Sequence, residues 1–101
     1  MNTQISLKPL AAGRMVGERS KAGGVRTQVE QAILAGHEVV LDFAGVEVTQ
    51  SFADELVGVL ILNLGPEVLE TLVFKNCSEN VRAIVQFVAA DRADQFAKQP
   101  H

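Results

Sequence analysis

The hydrophobic pattern of the chain is most informative between Glu38 and Leu64. Val39 to Phe43 is a short run of four apolar residues and one Asp, with β-branched residues at its start. A run this short and this apolar is typical of a strand that is covered on both faces, as in a parallel sheet. Ala44-Gly45 ends the run, and the sequence predicts a polar corner from Val46 to Gln50.

A helix is predicted to follow this corner, from Phe52 to Leu64. Ser51 and the acidic Asp54 three residues later form the pattern that caps a helix N-terminus. Gly65-Pro66 is a stop signal. The apolar residues of the segment fall on two stripes at helical spacing. Such a helix is either deeply buried or offers its second face to another chain.

The rest of the chain continues the alternation of strands and helices, which predicts an α/β domain with a mostly parallel central sheet and packed helices. We expect a single domain over residues 1–101, with its core at about 13–92 and a frayed tail at 93–101. The other predicted elements are an edge strand at Thr3–Lys8, a solvated glycine-rich loop at Leu10–Gly24, a helix at Val25–Ala35 ended by Gly36, a strand at Thr71–Phe74 and a helix capped by Ser78.

The charge distribution is asymmetric, although the formal net charge is only −3. Residues 27–74 contain acidic side chains but no Lys or Arg. A partner of the Ser51 corner is therefore expected to meet negative potential, unless the basic N-terminal segment folds back over it. Residues 1–26 carry one acidic side chain, Glu18, and the basic residues Lys8, Arg14, Arg19, Lys21 and Arg26.

Composition argues against several classes of function. A single cysteine, Cys77, fits a reducing cytoplasm, and no metal-ligand spacing is present. No signal peptide and no apolar run of membrane-spanning length is found, so we expect a cytoplasmic protein. A nucleophilic Ser51 would need a nearby histidine, and His37 is expected at the opposite end of the strand. Asp42 is interpreted as an acceptor of backbone hydrogen bonds. The sequence thus predicts no cofactor, no metal and no catalytic residues.

The segment from strand end to helix start resembles the STAS-like domains, which are related to anti-sigma-factor antagonists, and in particular the bacterial DUF4325 group. The resemblance is carried by Asp42-Phe43-Ala44-Gly45-Val46 and by Ser51-Phe52-Ala53-Asp54-Glu55-Leu56. An upstream Gly13-Arg14 followed by Gly17-Glu18-Arg19 is similar as well. The resemblance covers roughly Gly13 to Arg92.

The resemblance implies a non-enzymatic module of signalling regulation that binds a protein, such as a kinase-like ATPase or an anti-sigma factor. In the antagonists, a kinase phosphorylates a serine in an Asp-Ser-Ser-Gly corner. Here Gln50 aligns with the Asp and Phe52 with the phosphoacceptor, so a shift of one residue makes Ser51 the candidate phosphoacceptor. The predicted contact surface is the corner with the exposed side of the following helix, and its residues are Val48, Thr49, Gln50, Ser51, Phe52, Asp54 and Glu55.

Two alternatives stay open at this point. The second apolar face of the helix at Phe52–Leu64 could pair two copies of the chain as a homodimeric scaffold. In another class of function, the basic segment at 14–26 could contact nucleic acid, and Arg14 and Arg19 are candidate anion contacts. The acidic net charge and the absence of Trp and Tyr argue against nucleic-acid binding.

Overall fold

Three parallel strands form the central sheet of the computed structural model, which describes residues 2–100. The strands stand in the order β1, β3, β5, and β3 pairs with both neighbours in parallel. A second parallel pair, of β2 with β4, lies outside this sheet. The strands are β1 (Asn2–Ser6), β2 (Met15–Val16), β3 (Glu38–Asp42), β4 (Glu47–Val48) and β5 (Leu72–Lys75).

Three long helical segments connect and follow these strands: α1 (Arg19–Leu34), α2 (residues 50–64) and α3 (Glu79–Lys98). α2 is α-helical at Gln50–Ala53, π-helical at Asp54–Gly58 and α-helical again at Val59–Leu64. Short 3-10 helices lie at Lys8–Leu10 and Pro66–Thr71. This architecture confirms the predicted α/β fold with a parallel sheet and packed helices.

The helices cover only one face of the sheet, which corrects the expectation that the central strand is covered on both. Val39 and Leu41 of β3 are fully buried, whereas Val40 and Asp42 are half-buried. The strand order proceeds in one direction across the sheet, and right-handed crossovers that step in one direction place their helices on the same face. The other face carries polar side chains together with Val40 and Val73. A local run of apolar residues does not reveal this one-sided cover.

α2 is the centre of the helical layer. It packs against α1 on one side and α3 on the other, so that residues of both its apolar stripes are buried. The sequence left open whether the second stripe is buried or offered to another chain. In the structure α1 and α3 cover it, and the apolar face that suggested a homodimer is occupied within the chain. The buried residues of α2 are Phe52, Ala53, Leu56, Val57, Gly58, Leu60 and Ile61.

The N-terminal segment is more ordered than the predicted loop at Leu10–Gly24. Val16 of β2 is buried and pairs in register with Val48 of β4, while α1 begins at Arg19 and includes Gly23 and Gly24, two of the four glycines that suggested a loop. Burial of Ala22 and Val25 against the core stabilises the helix where intrinsic propensity is poor. The predicted polar corner therefore contains a short strand, and the predicted helix starts earlier than Val25.

The C-terminal helix agrees with its predicted start but not with its predicted end. The backbone N–H of Val81 donates to the hydroxyl of Ser78 at 3.1 Å, which confirms the predicted cap. The tail expected to fray at 93–101 is helical as far as Lys98, and an ion pair of 2.9 Å joins Lys98 to Asp94 one turn earlier. His101 lies outside the described residues.

Candidate functional site

The junction of β4 and α2 is capped by Thr49 rather than by Ser51. The Thr49 hydroxyl accepts from the backbone N–H of Phe52 at 3.1 Å and donates to the carbonyl of Gly17 at 3.2 Å. The predicted cap at Ser51 is therefore wrong. Ser51 lies in the first turn of α2, and its side chain is exposed and free of this structural task.

Ser51 borders an open, polar cleft between α2, the start of α1 and the middle of α3. The cleft has a volume of about 390 Å³ and is called the Ser51 cleft below. Its lining residues come from three helices that are far apart in the sequence: Arg19, Gln50, Ser51, Asp54, Asp91 and Arg92. The sequence predicted four of these as site residues, and it missed Asp91 and Arg92, which fell at the edge of the expected polar tail.

Asp54 and Arg92 form the strongest polar contact of the cleft. The Nε and Nη2 atoms of Arg92 donate to the two carboxylate oxygens of Asp54, each at 2.6 Å. The side chain of Asp54 is only 16% exposed and that of Arg92 only 25%. These hydrogen bonds hold the pKa of Asp54 below its ordinary value against the opposing effect of burial, and they raise the pKa of Arg92. Asp54 thus acts as a link between α2 and α3, and its predicted role in a capping box is wrong.

Glu55 is held from the other side by arginines of α1. Arg19 contacts the Glu55 carboxylate at 2.8 Å and Asp54 at 3.7 Å. Arg26 donates to the carboxylate of Glu55 at 3.2 Å and to its carbonyl at 3.0 Å. The basic segment therefore folds back over the acidic helix start. This is the condition under which a partner of the Ser51 corner would not meet a purely negative potential. Arg19 and Arg26 are engaged within the chain, which weakens the nucleic-acid alternative.

The π-helical turn Asp54–Gly58 brings these contacts together. A Cβ atom on Gly58 would lie 2.5 Å from Asp54 Oδ1 and 2.9 Å from Cγ of Arg92. Glycine is therefore needed here for close approach of α3 to α2. Short π-helical turns inside α-helices are frequent at functional sites. Gly58, a glycine inside the predicted helix, is the local signal in the sequence that could have indicated a close contact here.

The predicted contact surface is only partly at the surface of the molecule. Val48 and Phe52 are buried in the core and therefore do not belong to the contact surface. Thr49 is half-buried by its capping role, whereas Gln50 and Ser51 are exposed. Asp54 lines the cleft and is paired with Arg92, whereas Glu55 is not a lining residue and is paired with Arg19 and Arg26.

Phe87 extends this surface on α3, and no pattern in the sequence pointed to it. Phe87 is 59% exposed, although phenylalanine is among the residues most often fully buried. It precedes Asp91 of the Ser51 cleft by one helical turn, so the two side chains lie on the same face of the helix. An apolar side chain next to a polar cleft is a common feature of protein-binding surfaces.

Arg14 lies at a different place from Arg19. It borders a cavity of about 530 Å³ at the carboxyl ends of β3 and β5, together with residues of both following loops. Nearby, Asp42 accepts from the backbone N–H of Ala44 and from the side chain of Asn76, each at 3.0 Å, as expected for a backbone acceptor. The hydrogen bond from Asn76 is the main cause of the lowered pKa of Asp42. Arg14 and Arg19, the two candidate anion contacts, therefore lie at different sites.

Other candidate chemistry is weak in the part of the chain that the structure describes. No cluster of three or more potential metal ligands is found among residues 2–100. His37 lies beside Thr3, with Nδ1 2.9 Å from the hydroxyl, and does not line the Ser51 cleft. Burial raises the pKa of the Cys77 thiol, which disfavours the reactive thiolate. Among the described helices, none has the length and apolar character needed to cross a membrane.

A parallel sheet with its helices on one face, followed by an exposed serine in the first turn of a central helix, defines a small α/β domain of STAS-like type. The comparison with protein families agrees with this assignment. Residues 23–82 match the STAS-like domain of unknown function DUF4325, and the chain belongs to this family. Neither the curated proteins nor the solved structures that were compared contain a match.

Proposed function

We propose that this chain is a regulatory module that binds a signalling protein through the surface around Ser51 and performs no chemistry of its own. The observation that carries the proposal is the exposure of Ser51 at the edge of a cleft built from three helices. Gln50 and Phe87 extend the surface on either side. The kinase-like or anti-sigma identity of the partner rests on the resemblance to STAS-like antagonists.

The charges of the cleft are compatible with regulation by phosphorylation of Ser51. A phosphate group adds a charge of about −2 and three acceptor oxygens. Arg19 and Arg92 line the same cleft but are paired with Glu55 and Asp54, so a phosphate on Ser51 would compete with these ion pairs for their donors. Phosphorylation of Ser51 would also change the shape and charge of the contact surface. We therefore expect it to abolish partner binding.

The test is quantitative capture of partners from extracts of the native cell, with ATP present, using tagged variants of the chain. Wild type and Ser51→Ala should retain the same partner, while Ser51→Asp and Phe87→Glu should lose it. Leu34→Glu is the matched control, because Leu34 is 77% exposed at the opposite end of α1 and should have no effect. Equal recovery of the partner by Ser51→Asp, Phe87→Glu and wild type would refute the proposed surface. Mass analysis of Ser51 then shows whether it carries phosphate.

A further inference from the structure

The outer edge of β5 is unpaired in the part of the chain that the structure describes, because β5 has β3 as its single neighbour. The carbonyl of Lys75 accepts from the N–H of Phe43 at 2.9 Å, so the backbone of Lys75 faces β3. Backbone groups of successive strand residues alternate in direction, so those of Leu72 and Phe74 face outward. The N–H of Leu72 already donates to the carbonyl of Leu69. The carbonyl of Leu72 and both groups of Phe74 therefore face outward, available to another strand.

Apolar side chains flank this edge on both faces of the sheet. Val73 on the open face is 41% exposed. On the helical face, a groove of about 470 Å³ runs between β5 and α3. Exposed edges with adjacent apolar surface favour association with another chain. The groove is lined by Leu69, Phe74, Cys77, Arg82, Val85, Gln86 and Ala89.

The charges along the edge favour a second copy of this chain as the occupant. Glu70 is exposed just before β5, and Lys75 is exposed at its end. Arg82 lines the groove on α3, in the first turns of the helix that follows β5. An antiparallel strand from a second copy would place its acidic end beside this basic end, and the reverse contact would form by symmetry. A two-fold interface requires this kind of self-complementary arrangement.

We propose that two copies of the chain pair through β5 in antiparallel orientation, about a two-fold axis that is normal to the sheet and passes beside Val73. In this register the N–H of Phe74 donates to the carbonyl of Leu72 in the other copy, and Thr71 lies opposite Lys75. The two sheets become one continuous sheet with all helices on one face. The Ser51 cleft uses Asp91 and Arg92 of α3 rather than the groove residues, so the dimer leaves that surface free.

The experiment is sedimentation of the purified chain from low to high micromolar concentration, with circular dichroism as the check on folding. Wild type should be a dimer. Val73→Lys places like charges opposite each other at the axis, so it should raise the dimer dissociation constant roughly tenfold or more. Gln4→Lys is the matched control: Gln4 lies in the same row of the open face, on the other edge strand, and should leave the dimer unchanged.

A charge exchange tests the orientation and does not depend on Val73→Lys remaining folded. Glu70→Lys and Lys75→Glu should each weaken the dimer, and the two substitutions together should restore it. A wild type that stays monomeric at every concentration would overturn the inference. A dimer that is equally tight in Val73→Lys, or one that the charge exchange does not rescue, would overturn it as well and assign the edge to a strand from a different protein or leave it unpaired.

Discussion

The contact of Asp54 with Arg92 should contribute more to stability than any other ion pair described here. It joins α2 to α3 by two hydrogen bonds of 2.6 Å between largely buried side chains. Replacing either residue by Ala leaves the other charge without its partner, which costs about 2–3 kcal/mol. In a domain of this size such a loss lowers the melting temperature by roughly 10 °C or more. We expect the double variant to lose about 1–3 kcal/mol less than the sum of the single variants.

The measurement is urea unfolding followed by circular dichroism, because the chain has no Trp or Tyr to report by fluorescence. The matched control is the pair of Asp94 and Lys98 on the same helix, whose side chains are 64% and 75% exposed. Its coupling should be at most about 0.5 kcal/mol. Strictly additive losses for Asp54→Ala and Arg92→Ala would refute the claim that these residues stabilise the fold as a pair.

The same pair predicts a definite dependence of stability on pH. Arg92 lowers the pKa of Asp54 in the folded chain below its unfolded value. The contribution is therefore fully present above the unfolded pKa of about 3.9 and is lost as the pH falls through the folded value. The difference in unfolding free energy between wild type and Asp54→Asn should be constant near neutral pH and shrink below about pH 4. A difference that grows on acidification would contradict the assigned direction of the pKa shift.

Two further predictions concern the start and the middle of α2 and use the same unfolding assay. Gly58→Ala should destabilise the chain by about 1–3 kcal/mol, because the new methyl group overlaps Asp54 and α3. Gly24→Ala, in open space on α1, should be neutral or stabilising by up to about 1 kcal/mol, and equal effects of the two would contradict the packing argument. Thr49→Ala should cost about 1 kcal/mol as the loss of a helix cap, whereas Ser51→Ala should change stability by less than about 0.5 kcal/mol. A larger loss of stability in Ser51→Ala than in Thr49→Ala would indicate that Ser51, and not Thr49, caps the helix.

Local signals predicted the elements whose stability is local. The strand at the centre of the sheet, the helix after it and the Ser78 cap were all recognised within one or two residues, because apolar periodicity and capping chemistry act over a few positions. The same local signals did not predict the N-terminal part of α1. Its adjacent glycines indicate a loop, and only burial of Ala22 and Val25 with the long-range contact of Arg19 to Glu55 makes it helical.

The site was harder to predict than the fold, because its decisive contacts join distant parts of the chain. The local pattern predicted a cap at Ser51, whereas Thr49 is the cap and is held there by the carbonyl of Gly17, far upstream. The partner of Asp54, Arg92, lies on α3 at the edge of the segment that composition alone describes as a polar, frayed tail. No local pattern indicates which of several acidic residues will meet which arginine. The position of the serine was therefore predictable, and its electrostatic surroundings were not.

Residues that stabilise the fold also line the recognition surface proposed at the Ser51 cleft, and this determines which substitutions are informative. Asp54 and Arg92 line the cleft but also hold α2 against α3, so a loss of binding in their variants has two explanations. Gln50, Ser51 and Phe87 are exposed, and their replacement changes the surface while the packing between the helices stays intact. A loss of partner binding in these three, without a change in unfolding free energy, is the result that would attribute recognition to the surface itself.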